Sequence, residues 1–99
     1  LRGALLEKAL AFRMKLANLP VQLGNSASQI IPLILGSNQA ALACMEHLKE
    51  YGIYAPAIRP PAVPEDTARV RLSLSWLHKD TDLDKLYAGI SAWIRSSNQ

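Results

Sequence analysis

The chain has 99 residues, 49% of them apolar and 19% charged, with a formal net charge of +3 and one cysteine. That composition describes one small soluble domain with a modest core. No apolar run approaches the ~20 residues of a membrane-spanning helix. The eleven lysines and arginines are scattered along the chain, so the concentrated basic footprint of a nucleic-acid binder is missing. No signal-peptide pattern is expected, because Glu7 and Lys8 fall where an apolar leader would run. Cys44 has no partner for an internal disulfide, which fits a reducing cytoplasm. The chain opens on Leu1 with a helical pattern running by residue 4, as a piece cut from a longer protein would.

Residues 3–18 read as a helix. Leu5, Ala9, Phe12, Leu16 and Leu19 form one apolar stripe at the helical period. Leu19-Pro20 closes it, since the residue before a proline is pushed out of the α region. Gly24-Asn25-Ser26 marks a loop. Ile30 to Leu35 is short and β-branched at its start, so it reads as a strand. Pro32 lacks an N–H and predicts an edge position or a bulge there.

Ser37 or Asn38 is placed to cap a helix over about 39–50, with Ala41, Met45 and Leu48 on its buried face and Leu42 and Cys44 widening it. Gly52 is the expected left-handed closing residue. A modest strand follows over 53–58. Arg59-Pro60-Pro61-Ala62-Val63-Pro64 is a stiff extended segment, because its three prolines repeatedly fix φ and remove donors. Glu65-Asp66-Thr67 makes a turn. Over 69–75 the alternation is strict, with Val70, Leu72 and Leu74 on one face and Arg69, Arg71, Ser73 and Ser75 on the other. Thr81 and Asp84 resemble a capping box. Leu83, Leu86, Tyr87, Ile90, Trp93 and Ile94 then set out a final helix with a wide buried face.

The expected architecture is α+β, a two-layer α/β arrangement in the order α-β-α-β-β-α. It has a small mixed three-stranded sheet with helices on one face. The β-α-β crossover predicts a parallel pair, and the turn at 65–68 predicts antiparallel pairing of the last two strands. The face carrying Arg69 and Arg71 must meet solvent or another domain.

Arg71 is the best-placed reactive side chain. A planar guanidinium captures carboxylate or phosphate with paired donors, although an arginine on an exposed strand face also serves simply to solvate an edge. Arg59, in its stiff loop, is a second candidate. His47 and His78 have no companions at metal-ligand spacing, so no metal site is expected. Ser73 and Ser75 lack a base, and Cys44 sits on an apolar helix face. The residues describe a recognition element without a catalytic engine.

Three stretches carry a resemblance: Ser28-Gln29-Ile30-Ile31-Pro32, Ile58-Arg59-Pro60-Pro61-Ala62-Val63-Pro64, and Thr67-Ala68-Arg69-Val70-Arg71-Leu72-Ser73-Leu74 followed by His78. Together they are similar to the C-terminal domain of the pyridoxal-phosphate-dependent α-oxoamine synthases, which condense an amino acid with an acyl-CoA and release carbon dioxide. The likeness runs through residues 1–95. Ile-Arg-Pro-Pro most resembles the branch that joins L-alanine to a pimeloyl thioester in biotin biosynthesis, and serine palmitoyltransferases can also carry Arg-Pro-Pro.

The resemblance implies the small C-terminal domain of a fold-type I enzyme. Residues 1–99 would form one domain, with 1–19 as the connecting helix. It implies substrate-binding roles for Arg59, Ala62 and Arg71, of which Arg71 resembles the arginine that holds the amino-acid carboxylate. Ala62 departs from the pattern, because many synthases have threonine there. Asp66 replaces a common turn glycine.

The implied partners are a large cofactor-binding domain, the amino acid and acyl-CoA substrates, and a second subunit, with neither nucleic acid nor membrane. Pyridoxal phosphate is implied for the complete enzyme. None of Lys8, Lys15, Lys49, Lys79 and Lys85 lies in the family's cofactor-lysine context, so this chain alone is expected neither to bind the cofactor nor to catalyse. The competing reading is a stand-alone α/β binding or regulatory module.

Overall fold

The computed structural model describes residues 2–25, 29–75 and 79–97, so the expectations resting on Ser26, Ser28 and His78 lie outside the described residues. The first helix, α1 (Arg2–Leu16), turns Ala9, Phe12 and Leu16 into the core. Tightened bonds from Asn18 and Leu19 back to Lys15 and Leu16 end it just before Pro20. Part of its outer side is apolar. Leu6, Leu10 and Met14, one turn apart, are 39%, 60% and 67% exposed.

A two-residue strand, β1 (Gln22–Leu23), pairs with β2 (Ile30–Gly36). Ser37 then caps α2 (Asn38–Lys49) by accepting the Ala40 N–H at 3.0 Å. Its far end closes in a Schellman arrangement. Ile53 N–H reaches Leu48 C=O, Gly52 N–H reaches Lys49 C=O, and Gly52 takes the left-handed φ of 74° that such a closure requires. After β3 (Ala57–Ile58), a nine-residue connection over 59–67 leads into β4 (Ala68–Ser73), and α3 (Asp80–Ser97) completes the fold. The helix start is shifted from expectation. The Asp82 carboxylate accepts the Lys79 N–H at 3.0 Å, so the reciprocal capping bond comes from Asp82 rather than from a Thr81–Asp84 pair.

All three helices contribute to a single core against one face of the sheet, where Ile31, Leu33, Val70 and Leu72 are buried. α3 sits tightly on α2 at Gly89, where an added Cβ would lie 3.1 Å from Leu48 Cδ2 and 3.2 Å from the Tyr51 ring. His47 Nε2 donates to Gly89 C=O across the same joint at 2.8 Å. Leu42 is on the outer side of α2, 37% exposed, and does not widen its buried face.

The α+β class and the one-sided helices match the expectation, but the sheet differs in detail. It has four strands in the order β1-β2-β4-β3, every neighbouring pair antiparallel, instead of three strands in a mixed sheet. The crossover through α2 does leave β2 and β3 running in the same direction. β4 inserts between them, so no parallel pair forms. The strand expected over 53–58 contracts to Ala57–Ile58.

Pro32 lies in an interior strand, not at an edge, and the irregularity of β2 falls between Ile34 and Gly36. The geometry permits this. Pro32 C=O accepts from Gly24 on the β1 side. In an antiparallel strand a residue's N–H leaves on the same side as its C=O. The missing donor therefore faces the end of β1 and costs the β2–β4 ladder nothing.

Candidate functional site

The surface of interest is the sheet face opposite the helices. Its geometry begins in the turn before β4. Thr67 N–H and Thr67 Oγ1 both donate to Pro64 C=O, and Asp66 between them adopts φ 62°. Aspartate tolerates that left-handed conformation better than most residues, so the absence of a glycine there is accommodated. The turn delivers β4 with alternation intact: Ala68, Val70 and Leu72 are buried, while Arg71 and Ser73 are exposed on the other side.

The two arginines of β4 differ. Arg69, half-buried, donates Nε to Thr67 C=O at 3.0 Å and so braces its own turn. Arg71 is exposed and, among the described residues, its side chain has neither a hydrogen bond nor an ion pair. Its backbone is held, with its N–H donating to Pro56 C=O at 3.0 Å. Across the ladder it stands opposite Pro32, and Ser73 stands opposite Ile30.

Arg59 follows β3 directly and is exposed. Its C=O accepts from Ala62 N–H at 3.1 Å across a turn containing a cis Pro60–Pro61 bond. Since Pro56 lies opposite Arg71, Arg59 is three residues further along β3, about 10 Å at the rise of an antiparallel strand. Ala62 is exposed three residues beyond that. The register thus leaves Arg59 about three residues from Arg71 along the β4–β3 edge and out of phase with the open-face positions Pro56 and Ile58, with Ala62 further along, so no contact brings the three residues together.

Clefts of about 280, 320 and 710 Å³ are lined by other residues and include none of Arg59, Ala62 and Arg71. The candidate surface is open. Its β2 half is apolar, from Ile30, Pro32 and Ile34, and its β4 half is basic and hydroxylic. The side chains that β2 and β4 present there include no aromatic ring, which removes the stacking platform of an RNA-recognition sheet. Among the described residues no group of three or more histidines, cysteines or acids could hold a metal ion. No helix there is long and apolar enough to cross a membrane.

The residues present do not form a holder for pyridoxal phosphate. A cofactor lysine needs a desolvated site, and no lysine of the described residues is buried. Lys15 is taken up by Asp84 at 3.6 Å and the Tyr87 ring at 4.5 Å, and Lys49 by Glu46 at 3.2 Å. Lys8 and Lys15 share a broad surface cleft with Glu7, Asp80 and Asp84, whose charges oppose a phosphate. Cys44 is fully buried, and its burial pushes the thiol up to about 12, so it is no nucleophile.

What sequence reasoning missed is the cross-strand row Gly24–Pro32–Arg71–Pro56. Nothing in hydrophobic periodicity signals it, because it depends on the register of strands too short to show alternation.

Comparison with known proteins gives a consistent answer. No family model matches the chain. A putative 8-amino-7-oxononanoate synthase of Desulfosudis oleivorans is 47% identical over 94 residues, covering 95% of this chain and 24% of that protein. The 8-amino-7-oxononanoate synthase of Cronobacter sakazakii is 49% identical over 86 residues, covering 87% and 22%. The chain therefore spans about a quarter of the length of the curated relatives it matches. Among solved structures, Sphingomonas wittichii serine palmitoyltransferase superposes with a TM-score of 0.86 at 28% identity, over 96% of this chain and 25% of that one. The 8-amino-7-oxononanoate synthase of Francisella tularensis superposes with a TM-score of 0.80 over 99% of this chain and 28% of that one, its 19% identity supporting the fold alone. The chain is a homologue of the C-terminal part of the 8-amino-7-oxononanoate synthases, and its fold is the small C-terminal domain of that kind of pyridoxal-phosphate enzyme.

Proposed function

We propose that this chain is the substrate-side domain of an 8-amino-7-oxononanoate synthase-like acyltransferase, residues 1–99 forming one domain with 1–19 as its connecting helix. In this reading a larger domain of the same enzyme holds pyridoxal phosphate, which when bound supplies the electron sink for decarboxylative condensation of L-alanine with a pimeloyl thioester. The complete enzyme is a cytoplasmic homodimer. This chain's part is to bind and orient. Arg71 takes the amino-acid carboxylate in a paired, charge-assisted contact. Arg59 sits within reach of a second carboxylate, and Ala62 lines the approach without a polar contact of its own. Alone, the chain has no group to carry the cofactor and no catalytic activity.

The observation that carries this reading is the state of Arg71: an exposed guanidinium on the helix-free face, on a backbone bonded to Pro56, with no side-chain partner among the described residues.

The test is Arg71→Ala in the intact enzyme carrying this sequence. Loss of a charge-assisted hydrogen bond is worth about 1.5–3 kcal/mol, which corresponds to a rise in KM for L-alanine of roughly ten- to a hundredfold, with little change in KM for the thioester. An unchanged KM for the amino acid would remove the role assigned to Arg71. Finding a reduced cofactor adduct on a lysine of the isolated chain would remove the division of labour between domains.

A further inference from the structure

We propose that Pro32 and Pro56, the cross-strand neighbours of Arg71, keep its row free of any carboxylate that would capture the guanidinium before substrate does. The inference rests on the carboxylate-binding reading of Arg71 and says how this chain keeps that arginine available.

Gly24 N–H donates to Pro32 C=O at 2.9 Å, so Pro32 turns its backbone polar side toward β1. Arg71 N–H donates to Pro56 C=O at 3.0 Å, so Arg71 turns its own toward β3. Pro32 and Arg71 are register partners, yet they exchange no backbone bond. That is the narrow kind of antiparallel pair, with Cα atoms about 4.5 Å apart and side chains at their closest. Pro32 alternates with buried Ile31 and Leu33, which places its ring on the open face beside the Arg71 stem.

The ring is also wedged from behind. A Cβ on Gly24 would lie 2.9 Å from Pro32 Cγ, so only glycine leaves room for it in this arrangement. On the other flank Pro56 precedes Ala57, which pairs with buried Val70, and alternation puts Pro56 on the open face as well. The diagonal neighbours of Arg71 are Ile30 and Ile34 on β2 and Ile58 on β3. None of these side chains can accept a hydrogen bond. Along β4 itself the same-face neighbours are Arg69 and Ser73, so the surround holds a hydroxyl and a second cation but no carboxylate, and the charge is left for an incoming one.

An acid in this row should therefore compete with the substrate. The test compares Pro32→Glu with Pro32→Gln in the intact enzyme, with melting temperatures measured for both. The expected result is a KM for L-alanine raised at least tenfold by the Glu substitution and about threefold or less by the Gln one, at similar kcat and similar melting temperature. In parallel, NMR titration of the introduced carboxyl should show its pKa depressed by a unit or more, the depression vanishing when Arg71→Ala is added.

If Pro32→Glu does not fold, the Pro56→Glu and Pro56→Gln pair on the edge strand is read the same way. Equal KM effects of the acid and the amide, or an undepressed carboxyl, would overturn the proposal. A depressed carboxyl together with an Arg71→Ala variant of unaltered KM would instead fault the substrate role of Arg71 and leave the row intact.

Discussion

The two faces of the sheet are built from the same strands and do opposite things. On the covered face Ile31, Leu33, Val70 and Leu72 are almost wholly removed from water, and each contributes the stability of a fully buried aliphatic side chain, about 1.5–3 kcal/mol. On the open face the partners are Pro32 with Arg71 and Ile34 with Arg69. These groups add little to folding and present a charge. In a period-two strand every second residue is free of the core, so recognition chemistry can be placed there without disturbing packing. The contrast between Arg69 and Arg71 adds a second lesson. Adjacent same-face residues of identical chemistry differ in availability because only one reaches a carbonyl of its own turn.

Substitutions should separate the faces cleanly. Leu33→Ala, on the covered side, should lower unfolding stability by about 2–5 kcal/mol through lost burial and a residual cavity, as read by denaturant titration. A loss under about 1 kcal/mol would mean that β2 packs less tightly than its burial indicates. Ser37→Ala removes the bond that starts the helix following β2 and should cost about 0.5–2 kcal/mol, measurable in the same titration. Arg71→Ala, on the open side, should shift stability by no more than about 0.5 kcal/mol while having its effect on substrate affinity. A large stability loss there would show that the two faces are not independent.

The buried thiol gives a pH-dependent version of the comparison. Cys44 is raised from 9.0 to about 12 by desolvation. Its folded state therefore holds the proton more tightly than the unfolded chain, a contribution fully present below pH 9 and lost as pH rises through 9 toward 12. Stability measured across that window should fall less steeply in Cys44→Ala than in the parent. A thiol reagent at neutral pH should leave the native protein unmodified until it unfolds.

The helices and β4 were legible in the sequence because they are long enough to repeat their period. Ala9, Phe12 and Leu16 mark one face of α1, and Val70 and Leu72 mark one face of β4, with Leu74 continuing the alternation just past its end. Gly52 and Ser37 carried their own local chemistry and ended α2 where expected. β1 could not be read, since two residues show no alternation. Pairing order was also illegible. The crossover through α2 correctly implies parallel directions for β2 and β3, but no local signal says that a later strand will slip between them. Pro32 misled for a related reason: its edge preference assumes that both flanks of a strand are occupied, whereas here β1 has already ended on the side where the donor is missing. For the site, the strict alternation around Arg71 exposed the guanidinium, and the ring that stands beside it emerged only from register.

The stripe of Leu6, Leu10 and Met14 on the outer side of α1 makes this helix a reporter of assembly. Thioether sulfur reacts with peroxide wherever solvent reaches it. Met14 should therefore convert rapidly to the sulfoxide in the chain by itself and slowly in any larger particle that shields the helix. A mass shift of one oxygen on one peptide would then time the moment at which that greasy ridge is put away.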